Sequence, residues 1–480
     1  TRMSFESRVP VAPSRQDLLV REGSEILGGS IGDHSAGPTG WWSPLRILLA
    51  LGTVGFLIGY VRQIPCLING WGEGRYLHMC YTDIAPLYSL RGFADGRFPY
   101  LEPAVAGQEV LEYPVLTGML MQFASWITPQ DSDQATLWFF NVNALLLFTC
   151  LLVVVAATAM TVRRRPWDAA MVALAPGVIL CATINWDLLA IALLAVGLCA
   201  WSRRHPTWAG VFLGLAAAAK FYPLLVLLPL AVLCLRAGRI GAFGKCLAGA
   251  GLSWLAVNLP FMLIHFDGWF HFYSFSSTRG EDFGSVWLLL TNLGHQVPPA
   301  GLNRLASGAF VVLAAAIVVL LLLARRRPRL ASASFLIVAA FLLTNKVYSP
   351  QFVLWLIPLA ALARPRWRDF LIWQACEVVY FAGIWLHLAE LSGEKGIPPG
   401  WYSVAIAVHL AGTVWFSGLV IRDILSPRHD PVRTDGARED LDDPGGGPLD
   451  GRPDTWALPW SRRPESSPSP GPARQTPTAH

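Results

Sequence analysis

Apolar residues run along this chain in long blocks, not at the alternating spacing of a strand or along one stripe of a surface helix. A bilayer core about 30 Å thick takes about 20 mostly apolar residues in helix, because every backbone amide must be paired inside the segment. Stretches that meet or approach this requirement lie near 44–62, 138–162, 168–182, 187–201, 207–220, 221–236, 246–264, 304–324, 331–344, 350–363, 369–388 and 401–421. They predict an all-α polytopic membrane protein of about 12 transmembrane helices. Several are short and follow one another closely, so their boundaries are set only to within several positions.

Orientation follows from the basic residues, which stay on the cytoplasmic side of short loops. Arginines cluster at 163–165, 203–204, 236–239, 325–329 and 364–368, in alternate connections, whereas Lys220, Lys346 and Lys395 each stand alone in the others. Both termini then fall on the cytoplasmic side of the plasma membrane. The apolar block 113–127 is about 22 Å long as a helix. Counting it as a span would put the 163–165 arginines outside, so it is read as a re-entrant or interfacial helix. It belongs to a first extracytoplasmic loop, 63–137, with a second at 265–303. The domain organisation is a mostly disordered N-terminus at 1–43, a transmembrane domain at 44–421 and a tail at 422–480. No internal repeat is evident.

Composition sharpens this picture. Only 14% of the 480 residues are charged, against roughly a quarter in soluble domains, which excludes a soluble globule. A net charge of +5, with arginines in short runs between apolar blocks, excludes a nucleic-acid binder. The tail holds 18 of the 69 charges and 11 of the 35 prolines, so it is expected to be a disordered, Pro-rich cytoplasmic segment without chemistry. Six of the eight cysteines fall in or at the ends of spans, as small hydrophobes. Cys66 and Cys80 lie in the first outer loop, either as a disulfide or as two free thiols. No Cys/His spacing marks a zinc site.

The few remaining ionisable residues gather at the outer face: Asp83 in YTDIAPLY, Glu112 and Tyr113 in LEYPV, Asp187 after Asn185 and Trp186, Lys220 in KFYP, Arg279 in STRGEDFGSVW and Lys346 in NKVYSPQ. Charges at membrane depth usually face a cavity or a partner. Their convergence from separate places points to a shared polar cavity open to the outside or the outer leaflet. Such a set suits transfer of a sugar from a lipid phosphate. A carboxylate takes the proton of an attacking hydroxyl, and Lys or Arg stabilises charge on the departing phosphate. No nucleotide pool exists outside the cell, so the donor would be carried by a membrane lipid. Tyr81, Trp186, Trp287 and Tyr348 supply aromatic and hydroxyl contacts for a substrate.

Each of these residues also has a plain structural reading. Asp83 could cap a helix or pair with Arg91 or Arg97, Glu112 could cap the helix that follows Tyr113, and Asp187 could serve a helix dipole. Lys220 could extend to the interface. Lys346 precedes Pro350, whose helix break leaves donors free for an anion. Arg279 could be a solvated loop charge. Glu377 and His409, inside spans, read as hydrogen-bonded core residues.

YTDIAPLY, GRFPYLE, EYPVLTG, KFYPLLVLLPL and NKVYSPQFVLWLIPL, in this order, resemble glycosyltransferase family 87, the membrane mannosyltransferases of actinobacteria, over about 44–421. The resemblance implies the glycosyltransferase-C fold, a polyprenyl-phosphate donor, usually of mannose, and inversion at the anomeric carbon. It also implies a catalytic carboxylate in the first outer loop, which matches Asp83 as general base. The donor phosphate would fall to Lys346, with Lys220 or Arg279, and the acceptor would be a hydroxyl of a glycolipid or glycan. Thr82 and Ile84 flank Asp83 where the family often has paired acids, so no cofactor and no tightly bound divalent metal is expected. The alternatives are a carrier or flippase of the lipid-linked sugar, and arabinofuranosyl transfer from the same kind of donor.

Overall fold

The computed structural model describes residues 17–28, 41–434 and 441–455. Among these no strand occurs, and the apolar blocks are helical. Among the described residues six helices are long and apolar enough to cross a membrane: Pro44–Arg62, Ala135–Thr161, Ile240–Ile264, Gly301–Leu323, Trp367–Leu391 and Pro399–Leu425. Shorter apolar helices lie between them, at Asp187–Ser202, Pro206–Ala219, Tyr222–Arg236, Leu330–Thr344 and Pro350–Ala363. The stretch near 168–182, read as one span, is divided into Ala170–Ala173 and Pro176–Cys181. Pro176 opens the second piece because it has no N–H to continue the first.

Local sequence accounts for the helix boundaries and for their contacts. Ser43 caps Pro44–Arg62 by accepting from the Arg46 amide at 3.4 Å, with Pro44 at the first helical position. Val54, Leu57, Ile58 and Val61 of that helix and Val311, Val312 and Val319 farther on are exposed, as lipid-facing side chains must be. Between Pro206–Ala219 and Ile240–Ile264, Gly210 and Gly214 bring backbone against backbone. A Cβ at either would collide with the carbonyls of Cys246 and Ala250, the close approach that small residues four apart allow in membranes.

The first outer loop is folded down by three short helices, Ile64–Asn69, Ile84–Leu90 and Val115–Ile127. The last has 13 residues, about 20 Å, too short to cross. Its Thr117 hydroxyl donates to the Ala219 carbonyl at 2.7 Å, which ties it to the end of Pro206–Ala219. Cys66 and Cys80 form a disulfide that closes residues 66–80 into a ring. The second outer loop carries Phe266–Thr278 and Val286–Asn292.

The terminal segments differ from expectation. Within 1–43, residues Leu18–Gly28 are helical, and Asp17 Oδ2 accepts from the Trp367 amide at 2.8 Å; 1–16 and 29–40 lie outside the described residues. The tail, expected to be disordered, packs at 422–434 and 441–455 against the arginine-bearing loops, with Val432 and Leu449 buried. The physical reason is charge complementarity between tail acids and loop arginines. Arg329 grips Asp430 with two hydrogen bonds of 2.7 and 2.9 Å and also donates to the Leu362 and Ala363 carbonyls. Arg327 reaches Asp442 and Asp454, each at 2.7 Å, and Arg236 reaches the same Asp454 at 2.9 Å. Arg165 donates to the Pro431 carbonyl, and Trp201 to that of Gly446. Five connections separated in sequence thus meet at one end of the bundle. Residues 456–480 lie outside the described residues.

Burial alone would raise the Asp430 carboxyl, but the Arg329 and Arg433 guanidiniums hold it below the usual range. Its contribution to stability is therefore present above the unfolded carboxylate value near 4 and is lost as pH falls through the lower, folded value. Asp430→Asn should lower stability by about 3–5 kcal/mol at pH 7, because it leaves Arg329 buried and unpaired. Thermal unfolding in detergent measures this, and Arg329→Leu added to Asp430→Asn should recover part of the loss.

Candidate active site

Asp83 ends an irregular segment and begins the helix Ile84–Leu90 without capping it through its side chain. Its amide donates to the Ile184 carbonyl at 2.8 Å, and the Thr82 hydroxyl donates to the Thr183 carbonyl at 2.7 Å. The first outer loop is thereby stitched to the turn before Asp187–Ser202. The Tyr81 hydroxyl donates to Asp83 Oδ1 at 2.9 Å, and Asn185 Nδ2 donates to Oδ2 at 2.7 Å. Asn185 Nδ2 also lies 2.6 Å from the Tyr113 hydroxyl, and its Oδ1 accepts from the Trp186 amide. The neighbouring arginines are engaged elsewhere. Arg91 holds Glu109 and Glu112, and Arg97 donates to Gln108 and the Glu102 carbonyl. Asp83 is thus a carboxylate held by neutral donors.

Lys220 stands beside it. Its backbone ends Pro206–Ala219, and its ammonium lies 3.3 Å from Asp187 Oδ1, 5.3 Å from the Tyr113 ring centre and 5.8 Å from that of Phe352. Asp187 Oδ1 also accepts from Trp355 Nε1 at 2.7 Å, while Oδ2 is buried without a hydrogen-bond partner among the described residues. Trp186 is buried edge-on against Tyr113, and its indole donates to Asn143 at 2.7 Å.

Burial raises the Asp83 carboxyl above its ordinary value. The hydrogen bonds from Asn185 and Tyr81 and the charge of Lys220 oppose that rise, and Asp187 adds to it. Burial, and then the charge of Asp83, push the Tyr81 and Tyr113 phenols up, so both remain hydrogen-bond donors at neutral pH.

Tyr81, Asp83, Tyr113, Trp186, Asp187 and Lys220 are brought together as the sequence suggested. Glu112 instead accepts two 2.6 Å hydrogen bonds from Arg91 and braces the loop. Arg279, Trp287, Lys346 and Tyr348 form a second assembly at the second outer loop. Arg279 pairs with Asp282, and Trp287 donates to the Thr344 carbonyl at 2.9 Å. The Lys346 ammonium donates to the carbonyls of Ser276, Ser277 and Arg279 at 3.1, 3.4 and 2.5 Å, so it caps the end of Phe266–Thr278. Tyr348 is buried with its hydroxyl 3.3 Å from Thr413. Glu377 accepts from Trp373 and Thr413, and His409 Nε2 donates to the Gly284 carbonyl, as core residues.

Asn185, which the sequence already grouped with Trp186 and Asp187 at the outer face, joins the site as the second donor to Asp83, and Asn143, Thr82 and Trp355 complete it without having been singled out as its members. Asn143 had a signal, an amide within an apolar span, which faces a partner inside the bundle; Thr82 and Trp355 had none. Among the described residues no group of three or more His, Cys, Asp or Glu lies together as a metal site would need.

The family model described as "Glycosyltransferase family 87" matches residues 111–344, which takes in Tyr113, Asp187 and Lys220 and begins after Asp83. Among solved structures, the crystal structure of ArnT from Cupriavidus metallidurans bound to undecaprenyl phosphate is similar at 15% identity, over 80% of this chain and 78% of that one, with a TM-score of 0.43. No curated protein matches the chain. Over residues 111–344 the resemblance read from the motifs is borne out by the match to the family 87 glycosyltransferase model, and the described residues, helical and without strands, include helices able to span a membrane.

Proposed function

We propose that this protein transfers a sugar, mannose in the first instance, from a polyprenyl-phosphate donor to a hydroxyl of a glycolipid or glycan on the extracytoplasmic face. The carrying observation is the Asp83 carboxylate, half-buried without an arginine partner and held by Tyr81 and Asn185 beside the Lys220 ammonium. A carboxylate neutralised by arginine is a weak base. One held by neutral donors and raised by burial keeps its basicity and a fixed direction.

In this reading the acceptor oxygen attacks the anomeric carbon as Asp83 takes its proton. The bond from that carbon to the phosphate oxygen breaks, and polyprenyl phosphate leaves with the electron pair, on the face opposite to attack. Of the three cations expected to meet the phosphate, Lys220 fits best, since Asp187 and Trp355 anchor the pair it belongs to within the Asp83 cluster. Lys346 is already bound to three carbonyls, and Arg279 to Asp282. With the arginine loops and the tail at one end of the bundle, the basic-residue rule places that end inside and Asp83 outside.

Asp83→Asn should lower sugar transfer from polyprenyl-phosphate mannose by about 10²–10⁴-fold without loss of thermal stability, because the buried ionised form is the less favoured one. Undiminished turnover in this variant sinks the assignment, and transport without any transfer in the wild type points to a carrier.

Turnover should rise with pH as Asp83 ionises, along an acid limb above the ordinary carboxylate range. Tyr81→Phe and Asn185→Ala each remove a hydrogen bond to the charged form, so each should move that limb to higher pH. An unmoved limb in a pH–rate profile argues against Asp83 as the titrating base.

Lys220→Gln should reduce kcat/KM for the donor by about 10–100-fold, the loss of a charge-assisted hydrogen bond of about 1.5–3 kcal/mol, while the acid limb also shifts upward. Comparing mannosyl and arabinofuranosyl donors with the wild type decides the sugar.

A further inference from the structure

A second feature of the first outer loop lies next to Asp83 and is not used by the chemistry above. A cavity of about 220 Å³ opens between the disulfide-closed ring, the helix Ile84–Leu90 and the start of Ala135–Thr161, lined by Trp71, Arg75, Tyr81, Thr82, Ser89 and Thr136 among others. Ser89 stands exposed at its mouth, and Trp71 is buried in its wall.

The donors in this wall are not all taken. The Trp71 indole N–H is buried with no hydrogen-bond partner among the described residues. An unpaired buried donor is costly unless a ligand completes it. Arg75 donates Nη1 to the Trp71 carbonyl at 3.1 Å and lies 4.9 Å over the Tyr76 ring, which leaves most of its guanidinium N–H groups for another acceptor. Trp71 itself holds a left-handed backbone, φ 59°, rare for an aromatic residue and typical of sites where the surrounding structure imposes it. The Cys66–Cys80 disulfide brackets this segment.

We infer that this cavity is a carbohydrate subsite that receives the terminal sugar ring of the acceptor. The inference rests on the reading of Asp83 as the base. The Trp71 and Tyr81 rings, packed on Phe140 and on Tyr76 and Trp385, offer apolar edges to a pyranose, while the indole N–H, the guanidinium and the hydroxyls of Ser89 and Thr136 meet its hydroxyls. No carboxylate lines the wall, so it presents mainly donors, complementary to the lone pairs of a polyol. The volume accommodates a single ring and not a lipid chain.

Position assigns the ring to the acceptor and not to the donor. Tyr81 lines the cavity and donates to Asp83 Oδ1, whereas Asn185, which leads to Asp187 and Lys220, donates to Oδ2. The base therefore has the cavity on one side and the phosphate-binding cation on the other, the order that in-line displacement requires.

The test uses the full chain in detergent with methyl α-mannopyranoside as probe, followed by saturation-transfer NMR, together with transfer kinetics. Wild-type protein should saturate the probe. Ser89→Trp, which plugs the mouth from an exposed position, should abolish the signal and raise the acceptor KM about tenfold with the donor KM unmoved. Trp71→Phe, which removes only the N–H, should weaken binding about fivefold, one neutral hydrogen bond of about 1 kcal/mol. No probe saturation in the wild type, an equal signal in Ser89→Trp, or a rise in donor KM instead of acceptor KM overturns the inference. Asp83→Asn separates the two readings. Undiminished transfer in it, with probe binding lost in Ser89→Trp, removes the base and upholds the subsite; lost transfer, with probe binding intact in Ser89→Trp, upholds the base and removes the subsite.

Discussion

The organising constraint is that a charge buried in this bundle is costly unless it is met by a partner, and the two ends meet it in opposite ways. At the end that carries the tail, guanidinium meets carboxylate directly: Arg329 with Asp430, Arg327 with Asp442, Arg236 with Asp454. At the other end, Asp83 is met by a phenol and an amide, and the nearby ammonium of Lys220 is matched first to Asp187. Direct pairing quiets a carboxylate, whereas neutral donors position it and leave it reactive. The same physical rule yields a structural end and, in the function proposed, a chemical end.

Much of this was legible in the sequence, for definite reasons. Apolar blocks had to be helical because backbone amides in a bilayer have no other partner, and an isolated aspartate in an aromatic setting stood out against so few charges. The residues that hold Asp83 were harder to read. Asn185 looks like any loop amide until the first outer loop is laid beside the turn that precedes Asp187–Ser202, a contact some 100 positions apart in sequence. Lys346 and Glu112 had the residue type expected of a site, yet each is bound to a partner within its own outer-loop assembly, and only three-dimensional structure distinguishes those cases.

The tail shows where composition misleads. Proline and charge indicate a segment that cannot bury enough apolar surface to fold by itself, and residues 427–434 and 441–455 carry few large apolar side chains, Val432 and Leu449 among them. They are ordered by arginines supplied from the bundle, among them Arg236, Arg327 and Arg329, whose carboxylate partners come from the tail. Order here is a property of two surfaces together, so neither segment's composition reports it.

The arginine pairs also impose a sequence in time. Arg236, Arg327 and Arg329 are all synthesised before Asp430, Asp442 and Asp454. Until then these guanidiniums lack the tail carboxylates, and in the proposed orientation they are the charges that hold loops back from crossing. Only after the last helix has been made does the chain deliver the acids that neutralise them. The same side chains first act as orientation signals and later as the lock on a finished assembly, so a ribosome that stops short of Asp430 leaves a fully inserted but unlatched protein.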